Sequence, residues 1–146
     1  QENLDSYFTK CCELLKADGL MCIQAITIAD QRYSQALREV DFIQKYIFPG
    51  GSLPSITAMA ESLTRSTDMM IYQLDDLGAD YARTLRDWRE RFFQHESQVR
   101  ELGYNEAFIR LWEFYLCYCE GGFIERAIST VHLLASRPGF RPPSNN

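Results

Sequence analysis

The sequence is short of the features that usually announce a function. No apolar run is longer than Leu20–Ile28, which Gln24 interrupts. That falls far short of the roughly 20 residues a membrane-spanning helix needs. The first residues do not read as a secretory leader. Basic residues are in deficit, 15 against 20 acidic, and the net charge of −5 argues against a general nucleic-acid binder, which must neutralise phosphates. The two histidines, His95 and His132, are isolated, so neither a metal site nor a nucleophilic triad can be argued from them. Five cysteines (Cys11, Cys12, Cys22, Cys117 and Cys119) fit no zinc or disulfide spacing and read as reduced, buried small hydrophobes of a cytosolic protein. Glycines are paired at Gly50-Gly51 and Gly121-Gly122, neither pair lying between a strand and a helix start. A Rossmann-like cofactor turn is therefore missing. The chain opens at Gln1 on the lead-in to a helix, which predicts a fragment or processed product.

What is there suffices for one domain or a large piece of one. Hydrophobic residues make up 46% and aromatics 13%, enough for a sizeable core. Leu4, Tyr7, Phe8, Cys11, Leu14 and Leu15 share one face of a predicted helix over Asn3–Lys16. Ala17-Asp18-Gly19 ends it, and Leu20–Ile28 reads as a central strand covered on both faces. A polar helix is expected over Asp30–Tyr46, a loop at Phe48-Pro49-Gly50-Gly51, and a helix from Ser55 to Thr64. Asp68–Leu74 reads as a strand, Asp80–Leu102 as one long helix and Asn105–Cys119 as an aromatic helix. Phe123–Ala135 reads as a strand, with Ile128, Thr130 and Val131 β-branched. Arg137–Asn146 is expected to be a frayed tail, with residues 1–136 as the folded part. Helices thus alternate with about three strands. This is an α/β pattern too short for a complete doubly wound sheet.

Several segments, in order, carry a resemblance to a known family. Asp41–Ser55 (DFIQKYIFPGGSLPS) is the most specific, followed by Gly78–Trp88 (GADYARTLRDW) with its Tyr-x-x-Thr-Leu core. Tyr7-Phe8 with Leu14-Leu15-Lys16, Gly19–Ile28, and Trp112–Phe123 (WEFYLCYCEGGF) complete the set. Together they resemble the C-terminal part of a cyclopropane fatty-acyl-phospholipid synthase. The resemblance implies the C-terminal half of a Rossmann-like class I methyltransferase fold. It also implies a reaction. Such enzymes pass a methylene from S-adenosylmethionine to a cis double bond of a phospholipid acyl chain, through a carbocation whose proton a bound bicarbonate accepts. The cofactor site would then lie mostly outside this chain. A cytoplasmic protein touching the inner face of the membrane peripherally, and forming a homodimer, is expected.

The resemblance also carries residues. Tyr81 matches the family's bicarbonate-binding tyrosine, and Ile26 the residue that offers its backbone. Gln24 stands where many members have a histidine; it can donate a hydrogen bond but cannot titrate. Tyr46, Phe48, Pro49, Gly50, Gly51, Tyr115 and Tyr118 are the candidates for the acyl-chain side, since a carbocation beside an apolar tail calls for aromatic faces and little water. Plainer readings stand beside these. Tyr81 as a core aromatic, Gln24 as a structural amide, and Phe48–Gly51 as a mere turn all remain open. The stripe Phe108, Trp112 and Tyr115 reads as core packing, and Arg83, Arg86, Arg89 and Arg91 as a solvated face rather than a lipid-headgroup contact. A non-catalytic lipid- or partner-binding module is the alternative function.

Overall fold

A computed structural model describes residues 2–142. In chain order the elements are α1 (Glu2–Leu14), β1 (Leu20–Ile28), α2 (Asp30–Ala36), α3 (Phe42–Tyr46), α4 (Ile56–Ser66), β2 (Met70–Asp76), α5 (Gly78–Gln94), α6 (Glu96–Glu101), α7 (Glu106–Ile124) and β3 (Ile128–Ser136). The expected α/β class is the observed one.

The described strands form one sheet in the order β1-β3-β2, with β3 antiparallel to both neighbours. Side chains alternate across a strand, so the odd and even positions build two separate cores. Met21, Val131, Leu133 and Ala135 bury one face against Phe8 of α1 and Met59 and Leu63 of α4. Each fully buried side chain of this size contributes about 1.5–3 kcal/mol. The other face is covered at one end only. There Ile26 and Ile128 pack beneath Ala82 and Leu85 of α5 and Leu116 and Phe123 of α7.

Several boundaries depart from the sequence expectations, each for a local reason. Leu20–Ile28 is an edge strand among the described residues, with Leu20, Cys22 and Gln24 exposed, rather than a strand covered on both faces. The polar helix over Asp30–Tyr46 is two helices. Asp41 starts the second with a capping box, its carboxylate accepting Gln44 N–H while the Gln44 side chain accepts Asp41 N–H. The long helix over Asp80–Leu102 breaks at His95, whose Nδ1 lies 2.8 Å from the Arg91 carbonyl. α7 runs through Gly121-Gly122, past the Cys119 end that the sequence predicts, and β3 starts at Ile128 rather than Phe123. Gly122 faces Ile128 so closely that a Cβ there would stand 3.1 Å from its side chain. The cysteines are free, as expected, but none is buried; Cys22 and Cys117 are exposed. Of the expected tail, Arg137 and Gly139 donate backbone hydrogen bonds to Gly19 and Ala17, while residues 143–146 lie outside the described residues. No described helix is long and apolar enough to cross a membrane.

Candidate functional site

The loop after α3 is built by its own sequence. Gly51 N–H donates to the Phe48 carbonyl across 2.9 Å, closing a turn with Pro49 at its first central position. Gly50, at the second, has φ +80°, which a type II turn requires and glycine supplies at no steric cost. Gln44 Nε2 donates to the Gly51 carbonyl (2.8 Å), and Ile28 N–H to the Pro54 carbonyl (3.0 Å). The loop is thereby fastened to α3 at one end and to the end of β1 at the other. Phe48 is held out at its tip, 57% exposed, with its ring edge-on to Tyr115 at 6.3 Å.

Behind Phe48 lies a cavity of about 440 Å³ lined by Trp88, Arg91, Phe92, Trp112, Tyr115 and Leu116. Its walls come from two helices at the same spacing: positions 88, 91 and 92 on α5, and 112, 115 and 116 on α7. Residues at i, i+3 and i+4 share a helix face. The lining is mostly apolar and the cavity is open to solvent. Phe108 stacks on Trp112 from the far side (5.4 Å, interplanar 16°). Of the aromatic stripe, Trp112 and Tyr115 line the cavity and Phe108 does not.

Tyr81 stands one turn into α5. The helix start is tethered to β3: Leu77 N–H donates to the Thr130 carbonyl (2.8 Å), and the Asp76 carboxylate accepts both Gly78 N–H (2.9 Å) and the Ser129 hydroxyl. The half-buried Tyr81 ring is wedged between Phe123 (5.0 Å) and Trp88 (6.0 Å). Its hydroxyl has no hydrogen-bond partner among the described residues. Burial, with added repulsion from Cys119 and Tyr81, pushes the Tyr115 hydroxyl up from its ordinary value. Burial likewise raises Cys119, to about 11, so neither group is a base or a nucleophile near neutrality.

Ile26 packs on the same cluster as Tyr81. Backbone groups alternate direction along a strand, and Ile28 N–H already points away from β3 toward Pro54. Ile26 N–H therefore also faces the open edge of β1, without a partner among the described residues. Gln24 is two residues back on the same face, exposed. The structure thus brings Ile26 and Tyr81 into one cluster and leaves Gln24 exposed at the middle of β1.

The acyl-side candidates separate into two groups. Phe48 and Tyr115 meet at the cavity, with Pro49, Gly50 and Gly51 forming the exposed turn beside it. Tyr46 and Tyr118 sit outside it, in a surface patch with Phe42 and Phe114 (Phe42–Phe114 4.6 Å, Phe42–Tyr118 5.9 Å). Lys45 Nζ lies 5.1 Å over the Tyr46 ring. The arginine cluster also divides. Arg86 and Arg89 reach across to Glu120 of α7, whereas Arg91 is at the cavity and has no ion pair among the described residues. Burial pushes the Glu120 carboxyl up, but the two guanidinium groups outweigh that and hold it below its ordinary value. Trp88, Arg91 and Phe92 were not among the expected site residues; their signal was the spacing they share with 112, 115 and 116.

The family model for mycolic acid cyclopropane synthetase matches residues 1–133. The chain is 43% identical over 117 residues to tuberculostearic acid methyltransferase UfaA1 of Mycobacterium tuberculosis, covering 80% of this chain and 27% of that protein. It is 33% identical over 136 residues to cyclopropane-fatty-acyl-phospholipid synthase of Escherichia coli, covering 93% and 34%. The fold superposes on mycolic acid cyclopropane synthase CmaA1 complexed with SAH and CTAB at a TM-score of 0.81 and 26% identity, covering 93% of this chain and 50% of that one. The chain thus spans between about a quarter and a half of the length of these relatives. With the loop, the helix start and the sheet in family order, the chain belongs to the mycolic acid cyclopropane synthetase family.

Proposed function

We propose that this chain forms the acyl-chain side of an enzyme that transfers a methylene from S-adenosylmethionine to a cis double bond of a phospholipid acyl chain. The observation that carries this is the aromatic groove between α5 and α7, open to solvent, bordered by Phe48 and adjoining Tyr81. An acyl chain laid in it loses part of its contact with water, and the faces of Trp88, Trp112 and Tyr115 would stabilise positive charge developing on an alkene carbon.

The described residues do not by themselves fit S-adenosylmethionine. Gly78 stands at the one junction of a strand with a following long helix, but a Cβ there would collide with the Ser129 hydroxyl, so the space is already filled. Gly121 and Gly122 lie inside α7. These residues leave no cradle for the cofactor, and their contribution is to bind and orient the lipid. A bicarbonate ion fits better. Ile26 N–H and the Tyr81 hydroxyl, which share a cluster, and the Gln24 amide, two residues along β1, are the donors this reading assigns to it, and a bound base of this kind would take up a proton. The exposed patch of Tyr46, Phe114 and Tyr118, with Lys45, has the residue types that settle at a membrane–water boundary. This supports peripheral approach to a bilayer.

Both tryptophans of the sequence, Trp88 and Trp112, line the cavity, so their fluorescence reports on it. Titration with a long-chain unsaturated amphiphile is expected to shift the emission to shorter wavelength and to saturate. Unchanged emission at saturating lipid would contradict the reading.

A further inference from the structure

The four arginines that cluster on α5 do not share one environment. Arg86 Nε and Arg89 Nη2 donate to the Glu120 carboxylate of α7 at 3.0 and 3.1 Å, so their charge is answered within the fold. Arg83 does not line the groove between α5 and α7. Arg91 does, and it is the one charged residue among the described residues that line it; the rest of the lining is aromatic except for Leu116.

Arg91 is exposed and left without a partner among the described residues. Asp87 stands one turn earlier on α5, the spacing at which an acid and a following base pair on a helix surface. No ion pair joins the two, and no aromatic ring lies under the guanidinium. A guanidinium presents its N–H donors in a planar fork that matches two oxygens of a phosphate. At the other end of α5, Tyr81 meets the Trp88 ring at 6.0 Å. It precedes Arg91 by ten residues, about 15 Å along the axis at about 1.5 Å per residue. An amphiphile held by its head at Arg91 therefore lays its chain over Trp88 toward Tyr81.

We propose that Arg91 binds the head of the substrate: its guanidinium takes the phosphate diester of a glycerophospholipid whose acyl chain lies in the α5–α7 groove. This rests on the acyl-chain reading above. Apolar walls accept any long chain, whereas one unpaired cation among them discriminates by head group, favouring a phosphate over a neutral glyceride.

The test is isothermal titration calorimetry on the full-length protein with two amphiphiles of identical tail, 1-oleoyl lysophosphatidylglycerol and 1-oleoylglycerol, each below the concentration at which it forms micelles. Wild type is expected to bind the phosphate-headed amphiphile about fivefold more tightly at low salt, the scale of one arginine near a lipid phosphate. Added salt should shrink that preference. Arg91→Gln should lose the preference by weakening the phosphate-headed amphiphile alone, and Arg91→Lys, which keeps the charge without the fork, should retain part of it. An Arg91→Gln variant that keeps the preference overturns the proposal and leaves the groove standing as the acyl site. Equal weakening of both amphiphiles assigns the stem of Arg91 to groove packing and also overturns it. So does an Arg91→Gln variant that loses affinity for oleate but not for the lysophospholipid, which would make the bound head a carboxylate. If Trp112→Ala leaves both affinities at their wild-type values, the amphiphiles bind elsewhere, and the acyl-chain reading falls together with the proposal.

Discussion

Tyr81 and Phe123 pack ring against ring at 5.0 Å and 48°, so the strand-end face of α5 is fixed by α7 and only the tyrosine hydroxyl is left uncommitted. Removing that oxygen alone separates its two readings. Tyr81→Phe keeps the ring contacts and is expected to change stability by no more than about 0.5 kcal/mol. If the hydroxyl holds the anion that takes up the proton, turnover falls by about 10²-fold. A thermal melt beside an initial-rate measurement checks both. A rate within a factor of two of wild type would return Tyr81 to core packing.

Phe48 borders the cavity and is more than half exposed. Phe48→Ala should therefore leave the melting temperature nearly unchanged. Amphiphile binding to the cavity is expected to weaken by about tenfold, in the range for loss of one aromatic contact. Fluorescence titration reads this directly. Equal affinity would place the lipid elsewhere.

Glu120 is 7% exposed and ties α7 to α5 through Arg86 Nε (3.0 Å) and Arg89 Nη2 (3.1 Å). Its folded-state carboxyl lies below the ordinary 4.5. A depressed acid contributes stability that is present above its unfolded value and is lost as pH falls through the folded one. Stability should therefore drop below about pH 4.5, with Asp5, Asp30 and Asp76 depressed in the same sense. Glu120→Gln is expected to lose about 1–2 kcal/mol at pH 7, after allowing for the exposure of both arginines, and to flatten the acid limb. Denaturant midpoints across pH 3–7 would show it; an unchanged slope would mean the ion pairs contribute nothing measurable.

The two glycines inside α7 should respond differently. Alanine in a helix interior gains about 0.5–1 kcal/mol over glycine. At Gly121 a new Cβ meets nothing within 4 Å, so Gly121→Ala is expected to realise that gain. At Gly122 it meets Ile128 at 3.1 Å, which must yield. Gly122→Ala should melt below Gly121→Ala. The reverse order would mean that Ile128 moves freely.

Much of the fold was legible because it is written locally. The helix start at Ser55 and the loop at Phe48–Gly51 follow from residues within a few positions of one another. What was not legible depends on distant partners. Gly121-Gly122 looked like a helix end because Ile128, which requires the missing side chain, belongs to the next strand. The break at Asp41 was readable from its Asp-x-x-Gln spacing, yet the surrounding polar periodicity hid it. β1 reads as a central strand from composition, but only pairing shows which of its edges is filled. The site follows the same rule. Phe48 and Tyr81 lie in recognisable motifs. His132 looked isolated because Gln24, the residue it meets, is 108 positions away and only the β1–β3 register joins them. Trp88 and Trp112 became site residues when two helices, each carrying an ordinary apolar stripe, left a space between them.

The central claim is methylene transfer to a lipid acyl chain. It is tested most directly by growing cells that express the full-length gene, and matched cells carrying Tyr81→Phe, on methyl-labelled methionine, and then analysing their phospholipid acyl chains by mass spectrometry. The account predicts unsaturated chains that gain one labelled carbon in the wild type and far less in the variant. Acyl chains that carry no label in either strain would contradict it.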